Sequence, residues 1–363
     1  MWVRRSGSAA TTVMAALALA CVSLACVPDR VGTQGWRLMP APESSPAPVD
    51  IFAVGGRDRA ASTDALSESL SGRVGENTAF LWLGAPYDPR RGCDESDKRA
   101  AAFERLDEVL DPGAAFAVGS PYAYKCGASG PTGARTPDTH FMVDLAPTGP
   151  RVHTPCYRSP EAEPLPLDQI TCPHDEPDDD ASLRLLFIDE TLWFEHEWDD
   201  DSDGVERTLA QLDAIVDAIP QDSKVPYLLV THFPIESEGI HGFGSWKLHT
   251  TFHHHPESVQ RALVDGRIEG VIAGLEGNLQ FADDLSLAVK RSARTWLKEP
   301  LFQVISGSVG DADRRHRLSI RAARRQSNIA LKNDRFTQRP GYVHLHGDSQ
   351  QLTVDLHARV GGR

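Results

Sequence analysis

The sequence is short of positive charge. Its 37 Lys and Arg residues stand against 51 Asp and Glu residues, which gives a formal net charge of −14. No basic block is large enough to release the counterions of a nucleic-acid backbone, so nucleic acid is excluded as a partner. The chain also has no Gly-x-Ser-x-Gly elbow, the turn that presents the nucleophile of many serine hydrolases, and no internal repeat.

Long apolar runs are missing as well. The run over residues 13–25 is too short to span a bilayer, but it follows a pair of arginines as the core of a signal peptide does. Cys21 and Cys26 each follow Leu-Ala, a pattern that resembles a bacterial lipoprotein signal, in which the cysteine is acylated and becomes the first mature residue. We predict a signal segment over residues 1–26.

This signal predicts an exported protein of the cell envelope, in the periplasm or outer membrane. A lipid anchor on Cys26 or Cys21 would be its contact with the membrane. Export with release in soluble form is the alternative. Residues 27–48 are rich in Pro, Ala and Ser, which is typical of a flexible tether.

Closely spaced Cys-x-x-Cys pairs, the usual mark of a zinc site, are absent. Cleavage before Cys26 leaves an even set of four cysteines: Cys93, Cys126, Cys156 and Cys172. In an oxidising compartment we expect disulfides, with three possible pairings that the sequence does not distinguish. A zinc site is the alternative that the wide spacing disfavours.

The remaining chain has an ordinary globular composition, with 40% hydrophobic and 24% charged residues. Short apolar runs alternate with helical patterns, which predicts an α/β fold for a single domain over residues 49–363. The helix over 205–219 has the clearest spacing, and residues 341–346 and 351–357 predict a C-terminal hairpin. Residues 126–180 are dense in Pro and Gly and predict a long loop.

The predicted strands share a feature at their ends. Six of them run into short loops that carry glycine or histidine: Gly55, Gly84, Gly119, His232, Gly274 and Gly307. The carboxyl ends of strands in an α/β sheet are where such folds place ligands. We therefore expect these six loops to form one rim with the functional site.

Five of these loops resemble, in order, the motifs of the calcineurin-like metallophosphoesterases, and of their purple-acid-phosphatase-like branch in particular. The stretches are AVGGRD (53–58), LWLGAPYDP (81–89), AVGSPY (117–122), LLVTHFPIESEGIHG (228–242) and IAGLEGNLQ (272–280). The resemblance implies a metallophosphoesterase-like αββα sandwich of two mixed sheets with flanking helices. It also implies a phosphate ester hydrolase that uses two metal ions.

Most of the family's ligands are nevertheless replaced. His232 stands at a metal-ligand position with its side chain intact, and His241 stands where the family places a histidine near the substrate phosphate. Neutral residues occupy the other positions: Gly56, Ala85, Ser120, Pro121, Leu275 and Gly277. Two divalent ions need anionic oxygens and imidazoles to offset their repulsion. We therefore expect no cofactor, and predict a catalytically impaired pseudo-phosphatase that acts as a binding module for a phosphate-like anion or a protein.

An active enzyme is the alternative. Asp58, Asp88 and Glu276 lie close in sequence to the replaced positions, and slipped loops could turn them inward beside His232 to hold zinc, iron or manganese. The run of histidines at 253–255 is a further candidate for a metal site. The sequence shows no evident carboxylate partner for it.

Overall fold

The structure is a computed structural model, and it describes residues 29–37, 48–55, 66–73, 78–84, 106, 108–111, 113–118, 139–154, 180–190, 202–237, 252–275, 279–286, 289–290, 295–307, 335–337, 341–348 and 350–358. Within these residues, the strands form two mixed sheets. In chain order they are β1 (Asp29–Arg37), β2 (Val49–Val54), β3 (Thr78–Trp82), β4 (Ala115–Ala117), β5 (His140–Ala146), β6 (Gly149–His153), β7 (Leu183–Ile188), β8 (Tyr227–Thr231), β9 (Gly270–Ala273), β10 (Leu279–Ala282), β11 (Phe302–Ile305), β12 (Arg335–Thr337), β13 (Gly341–Gly347) and β14 (Gln351–Ala358).

The six-stranded sheet has the order β1-β14-β13-β2-β3-β4. Strands β2, β3 and β4 run parallel, whereas β13 joins β2 antiparallel and forms a hairpin with β14. The eight-stranded sheet has the order β12-β10-β11-β9-β8-β7-β5-β6, with β7, β8, β9 and β11 parallel. Strands β3 and β8 are near-continuous apolar runs, as parallel strands covered on both faces are.

The sheets pack face to face and hold the main core between them. Alternate side chains point into this layer, such as Ile51 and Leu81 from one sheet and Phe187 and Val230 from the other. Burial of this apolar surface is the main force that holds the two sheets together.

A second apolar layer lies on the far side of each sheet. Helix α1 (Ser202–Asp217) and helix α2 (Glu257–Val264) cover the eight-stranded sheet through residues such as Leu212 and Val259. On the six-stranded sheet, Leu66 and Leu70 of a helical turn pack against Phe52 and Phe80. Helices thus flank both sheets, and the predicted four-layer α/β sandwich with a C-terminal hairpin is confirmed.

A buried ion pair lies on the helix-covered side of the eight-stranded sheet. The guanidinium of Arg184 donates from Nε to Asp144 Oδ1 at 2.5 Å and from a terminal nitrogen to Oδ2 at 2.8 Å. Burial opposes the charge of Arg184, but the hydrogen bonds and charge of Asp144 outweigh it, so the pKa of Arg184 is raised. His153 Nε2 lies 3.2 Å from the same carboxylate. Each charge of the pair therefore stabilises the other in a site that water does not reach.

Two expectations are wrong. Residues 126–180 include the antiparallel pair β5–β6, closed by a turn at residues 147–148, because the loop signal of Pro and Gly masks two short strands. The predicted tether over residues 27–48 contains β1, which pairs with β14 along residues 29–37. Strand β1 pairs with β14 at the far end of the chain, and β5 also pairs with β7 outside the segment, which a local composition cannot reveal.

The signal segment and the four cysteines lie outside the described residues. No helix in the described part of the chain is long and apolar enough to cross a membrane.

Candidate functional site

The carboxyl ends of the parallel strands meet where the two sheets face each other. The amide of Gly55 donates to Gly307 O at 3.1 Å, and the hydroxyl of Ser306 donates to Ala53 O, so β2 and β11 join across the sheets. The predicted convergence of strand ends is therefore present in the described loops. We call this place the strand-end rim and define it by Gly55, Leu83, His232, Gly274, Leu275 and Ser306.

Glycines are needed at the rim because backbone packs on backbone. A Cβ atom on Gly274 would overlap Leu83 O, and one on Gly55 would overlap Ser306 O and lie 3.1 Å from the Cα of Gly274. These overlaps fall on main-chain atoms, which cannot swing aside as a side chain can. Close approach of the two sheets thus explains two of the strand-end glycines without any ligand.

His232 links the two sheets. Its side chain is buried, and Nδ1 lies 2.7 Å from Leu83 O at the end of β3. A carbonyl oxygen only accepts, so Nδ1 carries the proton and the lone pair of the neutral ring is on Nε2. The ring of Phe233 meets the imidazole edge-on, with centroids 4.9 Å apart. This tautomer suits metal ligation through Nε2, and it equally suits a structural histidine that ties the sheets together.

The loop after His232 is held by the amide of Gln303. Its Oε1 accepts from the amide of Ile235 at 2.7 Å, and its Nε2 donates to Glu236 O at 2.7 Å. Residues 231–237 are all buried. The backbone that carries His232 is therefore fixed by side-chain hydrogen bonds from β11.

A buried carboxylate connects three elements beside the rim. Glu190, two residues beyond β7, accepts from the hydroxyl of Thr231 through Oε2 and contacts His255 Nδ1 through Oε1. Glu190 and Thr231 are fully buried, and His255 is 2% exposed. A carboxylate removed from water needs such partners to offset its lost hydration.

The 253–255 histidines are therefore not isolated from carboxylates. Sequence reasoning expected no carboxylate partner, and it was wrong because Glu190 lies 65 residues away in the chain. His255 follows a single 3-10 turn over Phe252–His254, and Gln260 Nε2 donates to its carbonyl oxygen at 2.5 Å. His253 is exposed whereas His255 is buried, so these two imidazoles lie in different surroundings.

His140 adds a neutral imidazole at the start of β5. The amide of Asp189, next to Glu190, donates to its Nδ1 at 3.3 Å. Burial lowers the pKa of His140 to about 4, and a backbone hydrogen bond with Thr208 opposes this only in part. The ring therefore stays neutral near pH 7 and its Nδ1 can accept.

Leu275 is the second position of the resemblance that the structure describes. Its φ of 66° is the one positive φ of a non-glycine residue among the described residues. An L residue with a side chain adopts this left-handed conformation at a cost. The rim therefore keeps a strained backbone at a position where the side chain is a hydrocarbon that cannot bind a metal.

The other candidates of the sequence analysis lie outside the described residues. They are Gly56, Asp58, Ala85, Asp88, Ser120, Pro121, His241, Glu276 and Gly277.

Sequence analysis missed a different cluster. Among the residues that the structure describes, His344, Asp355 and His357 form the set of His, Cys, Asp or Glu side chains close enough to share an ion, and no such set includes His232. We call these three residues the hairpin histidine cluster. The signal was present in His-x-His (344–346) on β13 and Asp-x-His (355–357) on β14, since alternate residues of a strand share one face.

Comparison with known proteins gives fold-level neighbours only. No protein-family model and no curated protein matches the chain. One similar solved structure is GAP50, described as the anchor in the inner membrane complex of Plasmodium, with 12% identity, a TM-score of 0.48 and coverage of 87% of this chain and 86% of that one. Another is the purple acid phosphatase PPD1 from yellow lupin (Lupinus luteus), with 10% identity and a TM-score of 0.43. The match covers 88% of this chain and 53% of the lupin enzyme.

Proposed function

We propose that this chain is an exported protein of the cell envelope that binds a ligand at a metallophosphoesterase-like rim without a pair of metal ions. It would act as a pseudo-phosphatase, with its fold retained and its hydrolytic centre lost. Export and anchoring through Cys26 or Cys21 rest on the sequence of the first 26 residues.

One observation carries the proposal. Of the metal-ligand positions that the resemblance assigns, the structure describes two, His232 and Leu275, and only His232 has a side chain that can coordinate. Among the described residues, no further pair of imidazole, thiolate or carboxylate groups stands close enough to share an ion with it.

Coordination chemistry gives this observation its weight. A pair of divalent ions lowers the pKa of a bound water and clamps the transferring phosphoryl oxygens, and both effects need several anionic ligands. The contacts of His232 include a carbonyl oxygen and an aromatic ring, and neither supplies an anionic ligand. Without metal, water at this rim would keep its ordinary pKa, and no hydroxide would form near neutrality.

A phosphate-like anion is the ligand that we propose for the rim. The resemblance places His241 near a phosphate and His232 at a metal-ligand position, and amides of the strand-end loops would supply neutral donors. A protein partner at the same surface is the alternative occupant, and a calorimetric titration with inorganic phosphate that shows no binding would favour it.

Metal analysis tests the proposal. The purified chain is assayed for bound zinc, iron and manganese, and for release of phosphate from an aryl phosphate ester. We expect no phosphatase activity with any of these metals. We also expect the amount of bound metal to be the same in the unaltered chain and in His232→Ala. Two equivalents of metal that disappear in His232→Ala, together with metal-dependent turnover, would contradict it.

An active phosphoesterase is the second candidate, and the tautomer of His232 is compatible with it. Because Nδ1 donates to Leu83 O, Nε2 carries the lone pair that a metal would use. Asp58, Asp88 and Glu276 would then have to supply the anionic ligands. The triple variant Asp58→Asn/Asp88→Asn/Glu276→Gln should abolish any activity if this candidate is right, and leave a background rate unchanged if it is wrong.

A further inference from the structure

We propose that the hairpin histidine cluster, His344, Asp355 and His357, binds one divalent transition-metal ion on the outer face of the six-stranded sheet. The site is separate from the strand-end rim, and it does not depend on the function proposed for that rim. Zinc is the reference ion for its test.

The three side chains already converge. One ring nitrogen of each histidine and one carboxylate oxygen of Asp355 all lie within 4.8 Å of one another. Tetrahedral zinc, with bonds of about 2.0–2.2 Å, separates its ligand atoms by about 3.3 Å. Rotations of the side chains that bring the atoms together by about 1.5 Å or less would complete the geometry. The backbone does not have to move.

Strand register holds the cluster in place. His344 lies directly opposite Asp355 in the hairpin, and His357 follows Asp355 by two residues on the same face. The alternate residues of both strands, including Val343 and Leu356, are buried in the core between the sheets. A slip of one residue would expose this apolar set, so the register that unites the three ligands is strongly favoured.

Neighbouring side chains hold the ligands in orientation. Asp50 Oδ1 lies 2.8 Å from His344 Nε2, and His346 Nε2 lies 3.2 Å from Asp355 Oδ2. A carboxylate at one ring nitrogen fixes the plane of an imidazole and its tautomer, as it does for histidines that bind metals. The contact with Asp50 thus places the proton of neutral His344 on Nε2 and the lone pair on Nδ1.

Aromatic rings support the two imidazoles from the sides. Phe52 stacks on His344, with centroids 4.3 Å apart and planes 1° from parallel. Tyr342 stacks on His357 at 4.7 Å, and its hydroxyl lies 2.9 Å from Ser69 Oγ, which anchors the ring. Rings that are held in this way lose little rotational freedom when they bind an ion.

The donors select the class of ion. Two imidazoles and one carboxylate suit zinc, copper, nickel or iron, whereas magnesium and calcium prefer sites built from oxygen alone. Asp355 and Asp50 together offset the two charges of the ion. The side chain of His344 is 18% exposed and that of Asp355 is 5% exposed, so a small ion can enter and water can take the fourth position.

Titration of the purified chain with metal tests the site. The chain, freed of any histidine tag and treated with a chelator, is titrated with zinc by calorimetry and with cobalt by visible absorption. We expect one equivalent of zinc and the intense bands of four-coordinate cobalt. The variant His344→Gln/His357→Gln should lose both signals. Asp50→Asn should keep the ligands but bind about 10- to 100-fold more weakly, because it disturbs the orientation of His344.

His253→Gln is the matched control, since it removes an exposed histidine elsewhere, and it should bind zinc as the unaltered chain does. Metal-free circular dichroism and unfolding curves check that each variant is folded. If the double variant does not fold, Asp355→Asn replaces it, with loss of the cobalt bands as the expected result. Absence of a one-to-one zinc complex in the unaltered chain would overturn the proposal. Unchanged zinc affinity in a folded double variant would also overturn it.

Discussion

The strand-end rim and the hairpin histidine cluster both carry histidine, yet their surroundings differ. At the rim, backbones of two sheets pack so closely that Gly55 and Gly274 have no room for a side chain, and His232 is tied to a carbonyl oxygen. On the hairpin, His344, Asp355 and His357 stand on one face of a sheet, where His344 is half-buried and the other two are buried. The comparison teaches that a place where strands converge is not by itself a place where ligands converge.

Replacing a carboxylate beside each region should give the largest difference in the free energy of unfolding. Glu190→Ala would leave buried Thr231 and His255 without their common acceptor, and we expect it to lower the free energy of unfolding by about 3–5 kcal/mol. Asp50→Ala removes a carboxylate with a 45% exposed side chain from His344, and we expect a loss of less than about 1 kcal/mol. Urea unfolding of both metal-free variants measures the difference. Equal losses would show that the two environments are energetically alike.

Glu190 also shows what the sequence could not reveal. Its partners lie 41 and 65 residues away, and no local pattern links them. The hairpin histidine cluster is different, because the two motifs that form it lie within fourteen residues of a predicted hairpin, from His344 to His357. Its residues could have been found by drawing that hairpin and comparing the side chains on each face.

The secondary structure shows the same difference between features with a local sequence signal and features without one. Strands β8, β9 and β11, helix α1 and the C-terminal hairpin agree with periodicity and apolar runs, since each has a strong local signal. Strands β1 and β5–β6 were missed because Pro, Gly and Ser dominate their neighbourhood, and because β1 and β5 pair with strands from elsewhere in the chain, β14 and β7. Composition predicts a loop there, and only pairing with the rest of a sheet makes these segments strands.

Acid should lower the free energy of unfolding through His140, which lies next to the buried Glu190 region. The pKa of His140 is about 4 in the folded chain, below its ordinary value of 6.5, so folding favours the neutral ring. Its contribution is complete above pH 6.5 and is lost as the pH falls toward 4, by roughly 3 kcal/mol. Unfolding by urea at several pH values measures the slope. His140→Asn keeps an acceptor for the amide of Asp189 and should flatten this part of the curve, whereas an unchanged slope would contradict the assignment.

A smaller effect should follow from adding one methyl group at the rim. Gly274→Ala places a Cβ against Leu83 O, and we expect it to lower the free energy of unfolding by about 1–3 kcal/mol. Gly72→Ala is the control for backbone strain alone, because its φ is +74° and no atom lies within 4 Å of the added Cβ. Both variants are compared by thermal unfolding. A Gly274→Ala variant as stable as the unaltered chain would show that the close contact of the two sheets accepts a side chain.

A small effect is also expected from Tyr342 on the outer face of the six-stranded sheet. Tyr342→Phe keeps the ring that stacks on His357 but removes the hydroxyl that contacts Ser69. The loss of this partly buried hydrogen bond, and of the long one that Arg73 donates to the same hydroxyl at 3.5 Å, should cost about 0.5–1.5 kcal/mol. Urea unfolding measures it in the metal-free chain. A larger loss would mean that a substitution on this outer face destabilises the fold as much as one at the strand-end rim.

The central claim is that the chain binds a metal ion at the hairpin histidine cluster and not at the strand-end rim. Anomalous diffraction from crystals grown with zinc tests it most directly, because it locates the ion without reference to activity. The expected result is a single strong peak between His344, Asp355 and His357, with none beside His232. Two peaks a few ångströms apart at the strand-end rim would contradict it and restore a binuclear hydrolase.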